Sequence, residues 1–264
     1  MSETQKVMLE IDDSIATVTL NRPEVLNAMN AEIWQGLVDV ANTIKREPEV
    51  RVVIITGAGD RAFSSGLDLK AAAEGKAFPD IPIRQGPDVL TTLKYSFTVY
   101  EELPVPVIAA IQGYCLGAGL QLAVACDFRI ASEDAQLAIL EVSRLGIVPD
   151  VGGTQRLPRL VGPSRAKLIL MTGRRIDAQE ALRIGLVDEV HPKGKFMEAA
   201  RSLAREIAAL NPAAVQGVKR SVNVAMSHSL EVGLAFETAT ALSVPAVAER
   251  VVDAAKSFSD KRSR

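Results

Sequence analysis

Apolar and polar positions alternate with period two on either side of a short acidic gap. Lys6 to Ile11 and Ile15 to Leu20 flank Asp12-Asp13-Ser14, which predicts a β-hairpin closed by Asn21-Arg22-Pro23. The period then lengthens. Ile33, Trp34, Leu37, Val40, Ala41 and Ile44 fall on one helical face behind Asn30, a residue able to cap the first turn. Arg51 to Thr56 (RVVIIT) is almost unbroken apolar sequence, as expected of a strand covered on both faces. Gly57-Ala58-Gly59-Asp60 ends it, and residues 61–70 pass through small side chains to the start of a helix. Residues 74–88 carry three prolines and two glycines and predict an exposed loop, followed by a helix from Val89 to Leu103.

The centre of the chain is Val105 to Ser132, VPVIAAIQGYCLGAGLQLAVACDFRIAS, which reads as strand, glycine turn, buried helix, strand. Ala135 to Val142 predicts another strand, and residues 146–157 a second glycine turn before a helix. Helices follow at 163–172, 177–184, 195–210, 213–226, 229–243 and 246–258, with one strand at 187–190. Strand-strand-helix units recur loosely over 6–44, 52–103 and from 106 onward. That is the pattern of an α/β spiral rather than one flat sheet. The expected division is a spiral core over residues 1–195 and a helical carboxyl-terminal region over 196–264.

Composition narrows the partners. With 264 residues, 48% of them hydrophobic, the chain can bury a substantial core, and a formal net charge of −2 gives no field for nucleic acid or a membrane surface. The polar, acidic start and the lack of a long uncharged apolar run point to a cytoplasmic protein. Cys115 and Cys126 lie in the apolar centre without ligand spacing to His191 or His228, so they read as reduced core thiols and no metal is expected.

Three constellations bear on chemistry. Gly113, Gly117 and Gly119 follow a strand and open a helix, where free N–H groups face outward and a close approach to the backbone is possible. This spacing also fits a nicotinamide site, but it sits mid-chain, and none of Tyr95, Tyr100 or Tyr114 is followed four residues on by lysine. Ser64-Ser65-Gly66-Leu67-Asp68 has the same form after RVVIIT. Two such turns converging would aim two backbone donors at one oxygen. The third is Glu141, a carboxylate in an apolar stretch, with Asp150 beside the second glycine turn. Asp150 also fits a simple cap.

Taken in order, NRPEVLNAM, RVVIITGAGDRAFSSGLDL, PVIAAIQGYCLGAGLQLAVACDFRIAS and GIVPDVGGTQRLPRLVG resemble the crotonase superfamily, the enoyl-CoA hydratase/isomerase enzymes, over residues 6–258. The resemblance implies a spiral ββα core and a helical carboxyl-terminal part that builds a homotrimer or a hexamer of two trimers. It also implies a coenzyme A thioester as substrate with no separate cofactor. An oxyanion hole would come from the N–H groups of Leu67 and Ala118. Substrate contacts would come from Val25, Leu26, Ala62, Ser64, Ser65, Gly66, Asp68, Leu69, Lys70 and Gly117.

The departures from that pattern bear on the reaction. Hydratases of this type carry two glutamates, whereas here the first position is Gln121 and only Glu141 is retained. The stretch from Glu141 to Gly146 is one residue longer than usual. Several double-bond isomerases of the superfamily have an aspartate at the position of Asp150. Glutamine cannot take a proton at neutral pH, so the expected catalytic group is Glu141 and Asp150 sharing proton transfers, with Gln121 helping to position substrate. The expected reaction is a double-bond shift in an enoyl- or dienoyl-CoA. The alternatives are hydration of a 2-enoyl-CoA and a non-catalytic acyl-CoA-binding subunit.

Overall fold

The computed structural model describes residues 5–79, 87–245 and 251. The hairpin forms as β1 (Val7–Asp12) and β2 (Ile15–Leu20), antiparallel, with Asp13 and Ser14 both at positive φ in the two-residue turn. Asn30 accepts the Ile33 N–H at the start of α1 (Ala31–Ile44), as its position predicted. β3 (Val52–Gly57) is buried along its whole length. Val53 and Ile55 enter one apolar cluster and Val52 and Ile54 another, so both faces are covered.

Beyond β3 each turn of the chain makes two strands that part company. β4 (Ala62–Ser64) precedes α2 (Leu69–Ala73) and α3 (Pro87–Glu101). β5 (Val107–Ile111) and β6 (Tyr114–Leu116) precede α4 (Ala118–Ala123). β7 (Phe128–Ser132) and β8 (Gln136–Ala138) follow. After them come α5 (Gly153–Val161), α6 (Pro163–Thr172), β9 (Ile176–Asp177), α7 (Ala178–Arg183), β10 (Glu189–His191) and α8 (Phe196–Ala208). One sheet has the order β1-β2-β3-β5-β7-β10 and the second β4-β6-β8-β9, so each winding gives one strand to each sheet. Within the larger sheet every pairing after the hairpin is parallel. This is the spiral expected from the recurring units.

Several boundaries differ from the sequence reading. β4, β6 and β9 were not foreseen, because strands of two or three residues are too short to show a period. The strand expected to reach Val142 stops at Ala138, and Glu141–Leu145 coils into a π turn. The predicted helix over 246–258, apart from residue 251, and residues 80–86 of the loop predicted over 74–88 lie outside the described residues.

The chain divides into residues 1–209 and 210–264. The boundary falls later than the expected 195/196 because α8 belongs to the first unit: its Ala200 and Ala204 close the cluster formed by Val52, Ile54, Ile108 and Ile130 on one face of the large sheet. The second unit contains α9 (Pro212–Ala225) and α10 (Leu230–Ser243), which pack closely enough that a β-carbon on Gly217 would lie 2.9 Å from Thr240 Cγ2. No helix among the described residues is long and apolar enough to cross a membrane.

Candidate active site

The two glycine turns meet. A β-carbon built on Gly66, whose φ is +89°, would lie 2.7 Å from Leu116 O and 3.2 Å from Ala118 N. One on Gly119 would lie 2.7 Å from Ser64 O. Only glycine lets the backbones approach this closely.

The direction of both amides follows from their hydrogen bonds. Met29 N–H donates to Gly66 O at 2.7 Å, and Asp68 N–H donates to Met29 O at 3.0 Å. In a trans peptide the carbonyl and the next N–H point opposite ways, so the Leu67 N–H points away from Met29. Gly117 O accepts the Gln121 N–H at 3.0 Å, so the Ala118 N–H leaves the amino-terminal end of α4. Neither amide has an acceptor among the described residues.

Glu141 lies against the same turn. A β-carbon on Gly117 would be 3.4 Å from its Oε1 and 3.7 Å from its Oε2. The π turn that begins at Glu141 ends at Gly146 in a left-handed conformation. Glu141 is 9% exposed, and its Oε2 has no hydrogen-bond partner among the described residues. Burial raises its carboxyl above the ordinary glutamate value. Hydrogen bonds, including one from Gln121, oppose that rise, and the charge of Asp150 adds to it. Asp150 is half-buried and is also raised by burial, with Lys94 of α3 pulling it back.

Gln121 is fully buried. Its Nε2 donates to Glu141 Oε1 at 2.6 Å, and its Oε1 accepts the Gly153 N–H at 2.9 Å. Both ends of its amide are thus engaged by protein, which makes its expected help in positioning substrate one that would act through Glu141 and Gly153.

The predicted substrate segment splits by burial. Val25, Leu69 and Lys70 are exposed, and Leu26, Ser65 and Leu67 are partly so. Leu26 and Ala62 line a cleft of about 210 Å³ between residues 23–27 and 58–62. Gly66 and Gly117 are buried where the turns meet. Ser64 and Asp68 are buried and do structural work instead of offering free polar groups. Ser64 Oγ donates to Asn27 O at 2.8 Å and accepts the Gly66 N–H at 3.2 Å. Asp68 caps α2 through the Ala71 N–H and pairs with Arg22 at 2.8 Å. Burial pushes its carboxyl up, but these partners outweigh that and hold it below the ordinary value.

Sequence reading missed two residues that hold the site. Asn27, fully buried at φ +54°, donates to Ala58 O and Ala62 O and accepts the Arg22 N–H, so it fastens the loop after β2 to the first glycine turn. An asparagine set inside an apolar segment was the available signal. Arg156 joins the turn after Asp150 to α3, donating to Glu101 at 2.7 Å, Thr98 Oγ1 at 2.9 Å and Val151 O at 3.2 Å. Cys115 and Cys126 are buried free thiols, and burial raises Cys115 well above the ordinary thiol value.

Known proteins share this arrangement of chain. The family model for enoyl-CoA hydratase/isomerase matches residues 10–264. The short-chain-enoyl-CoA hydratase of Clostridium acetobutylicum is 40% identical over 89% of this chain and 88% of its own. The carnitinyl-CoA dehydratase of Citrobacter koseri is 40% identical over 94% and 93%. Among solved structures, the enoyl-CoA hydratase of Bacillus anthracis superposes with a TM-score of 0.87 at 37% identity over 97% of both chains. A Thermobifida fusca structure in complex with CoA superposes at 0.83 with 34% identity, covering 96% of this chain and 95% of its own. With its spiral of paired strands and a family match over almost its entire length, the chain belongs to the enoyl-CoA hydratase/isomerase family of enzymes.

Proposed function

We propose that the chain shifts a double bond in an enoyl- or dienoyl-CoA thioester. The thioester oxygen sits between the Leu67 and Ala118 N–H groups, which take up the negative charge that appears when the thioester becomes an enolate. Glu141 or Asp150, as carboxylate, removes a proton from the carbon next to the thioester. The electron pair moves onto the oxygen and the chain, and a protonated carboxyl returns a proton further along the chain. The CoA complex of the Thermobifida fusca neighbour supports coenzyme A as the carrier of the substrate, with its nucleotide part near Val25, Leu26 and the segment 62–70. The apolar residues exposed on α9 and α10, such as Val218, Val222 and Leu234, support assembly with further copies of the chain as a trimer or hexamer.

The observation that carries this reading is Glu141: a buried carboxylate, one oxygen unpartnered, packed against the turn that presents the Ala118 amide. Because residue 121 is a glutamine with its amide engaged by Glu141 and Gly153, no second glutamate stands there to hold a water. Hydration is the second reading, favoured by the names of the hydratase and dehydratase relatives.

The purified protein is to be given 2-enoyl, 3-enoyl and dienoyl thioesters in ¹⁸O-labelled water. Isomerisation leaves the product mass unchanged, whereas hydration adds one labelled water. E141Q and D150N are expected to lower isomerisation by roughly two to four powers of ten. Full activity in both variants, or a labelled alcohol as the sole product, overturns the proposal.

A further inference from the structure

We infer that Gln121 is a positioning residue that ties Glu141 Oε1 to the start of α5 and thereby makes Oε2 the oxygen that exchanges protons with the acyl group. The inference deepens the proposed function and rests on it for the identity of the acyl group, but its geometry stands alone.

The amide of Gln121 cannot be turned round. Gly153 N–H is a donor, so the atom facing it must be Oε1, and Nε2 must then face Glu141. A flipped amide would set donor against donor at Gly153 and oxygen against a carboxylate at 2.6 Å. Space is equally restrictive, since a β-carbon on Gly153 would lie 2.8 Å from Gln121 Oε1. The strut therefore fixes two acid-bearing segments at once: the π turn that begins at Glu141 and the turn that runs from Asp150 into α5.

With Oε1 held, the two oxygens of Glu141 are no longer equivalent. Oε2 is buried without a partner among the described residues, beside Gly117 and hence beside the peptide that carries the Ala118 amide. The charged groups around it are few. Asp150 acts on Glu141 from the turn before α5, Lys94 of α3 acts on Asp150, and Arg144 within the π turn is exposed.

Replacing Gln121 separates its two bonds. Q121L removes both. Q121E keeps an acceptor for Gly153 but places two carboxylates at hydrogen-bond distance, so the pair must hold a proton between them. In Q121L Glu141 loses a donor that favours its charged form, and in Q121E the charge of the second carboxylate opposes loss of the shared proton, so in each variant the final ionisation at Glu141 moves to higher pH.

The test reads that ionisation directly, by carbon NMR of protein labelled at the glutamate carboxyl carbons, with the Glu141 signal assigned by its loss in E141Q. The pH–rate profile is measured alongside. In Q121L and Q121E the Glu141 titration and the acid limb of the profile are expected to move together to higher pH. kcat is expected to fall about ten- to a hundredfold while KM stays within about threefold. Folded variants with an unmoved titration overturn the inference. If Q121L does not fold, Q121E, which retains the Gly153 contact, decides the matter. A titration that moves in a protein that turns over no thioester supports the strut and removes the proposed reaction.

Discussion

Gly66→Ala tests whether the two amides act on one oxygen. The new β-carbon would lie 2.7 Å from Leu116 O, whereas a relaxed carbon–oxygen contact begins near about 3.3 Å. The two turns must therefore separate by about 0.6 Å, and the nearest amide affected is that of Ala118, at 3.2 Å. A misplacement of about 1 Å at a reacting centre can cost roughly a hundredfold, and loss of a whole oxyanion donor costs about a hundred- to a thousandfold. We expect kcat to fall by about ten- to a hundredfold, with KM for the thioester changed far less. The φ of +89° adds strain of roughly 1–2 kcal/mol in the folded state. At about 2–4 °C per kcal/mol, that strain lowers the melting temperature by some 2–8 °C. Strain alone is isolated by Gly75→Ala, where φ is +72° but no atom lies within 4 Å of the new carbon. G75A should melt earlier and turn over normally. The assay is steady-state turnover of whichever thioester the wild-type protein accepts, beside a thermal melt of all three proteins. If G66A keeps the turnover of G75A, the two amides do not share an oxygen.

Two further outcomes follow from the site. Glu141 is raised by burial, so the folded protein holds that proton more tightly than the unfolded chain does. Its contribution to stability is fully present below the ordinary glutamate value and is lost as pH rises through the raised folded value. The melting temperature of E141Q relative to wild type should therefore climb as pH is taken from 4 to 8, and a constant difference would contradict this account of the carboxyl. R156K keeps the charge but loses the planar fork that reaches Glu101, Thr98 and Val151 together. It should cost roughly 1–3 kcal/mol in a denaturant melt and reduce turnover through the Asp150 turn, an effect absent from a variant of the exposed Arg144.

The sequence carried the large sheet well, because β2, β3 and β5 are long enough for their apolar pattern to be read and because Asn30 marks where α1 begins. Most of the second sheet was illegible for the opposite reason: β4, β6 and β9 have two or three residues each, and only β8 showed, as part of a longer apolar run. At the site, the glycines announced the close approach of two backbones, since no other residue tolerates it. The directions of Ser64, Asp68 and Gln121 were not announced. Their chemistry suits a ligand as well as it suits a neighbouring loop, and only burial decides between the two. Asn27 was passed over because a polar residue flanked by Leu26 and Ala28 looks like loop surface until its partners across the fold are known.

The wide coil after Glu141 makes spacing, apart from residue identity, a determinant of where this carboxyl points. Removing one residue from a helix turns everything beyond the gap by about 100° relative to what precedes it. Exchanging side chains at Val142, Ser143 or Arg144 leaves that count untouched, so a survey made only of substitutions would never sample the variable that aims this acid. Insertions and deletions between residues 141 and 146 are where the scaffold can be retuned while its amide pair stays in place.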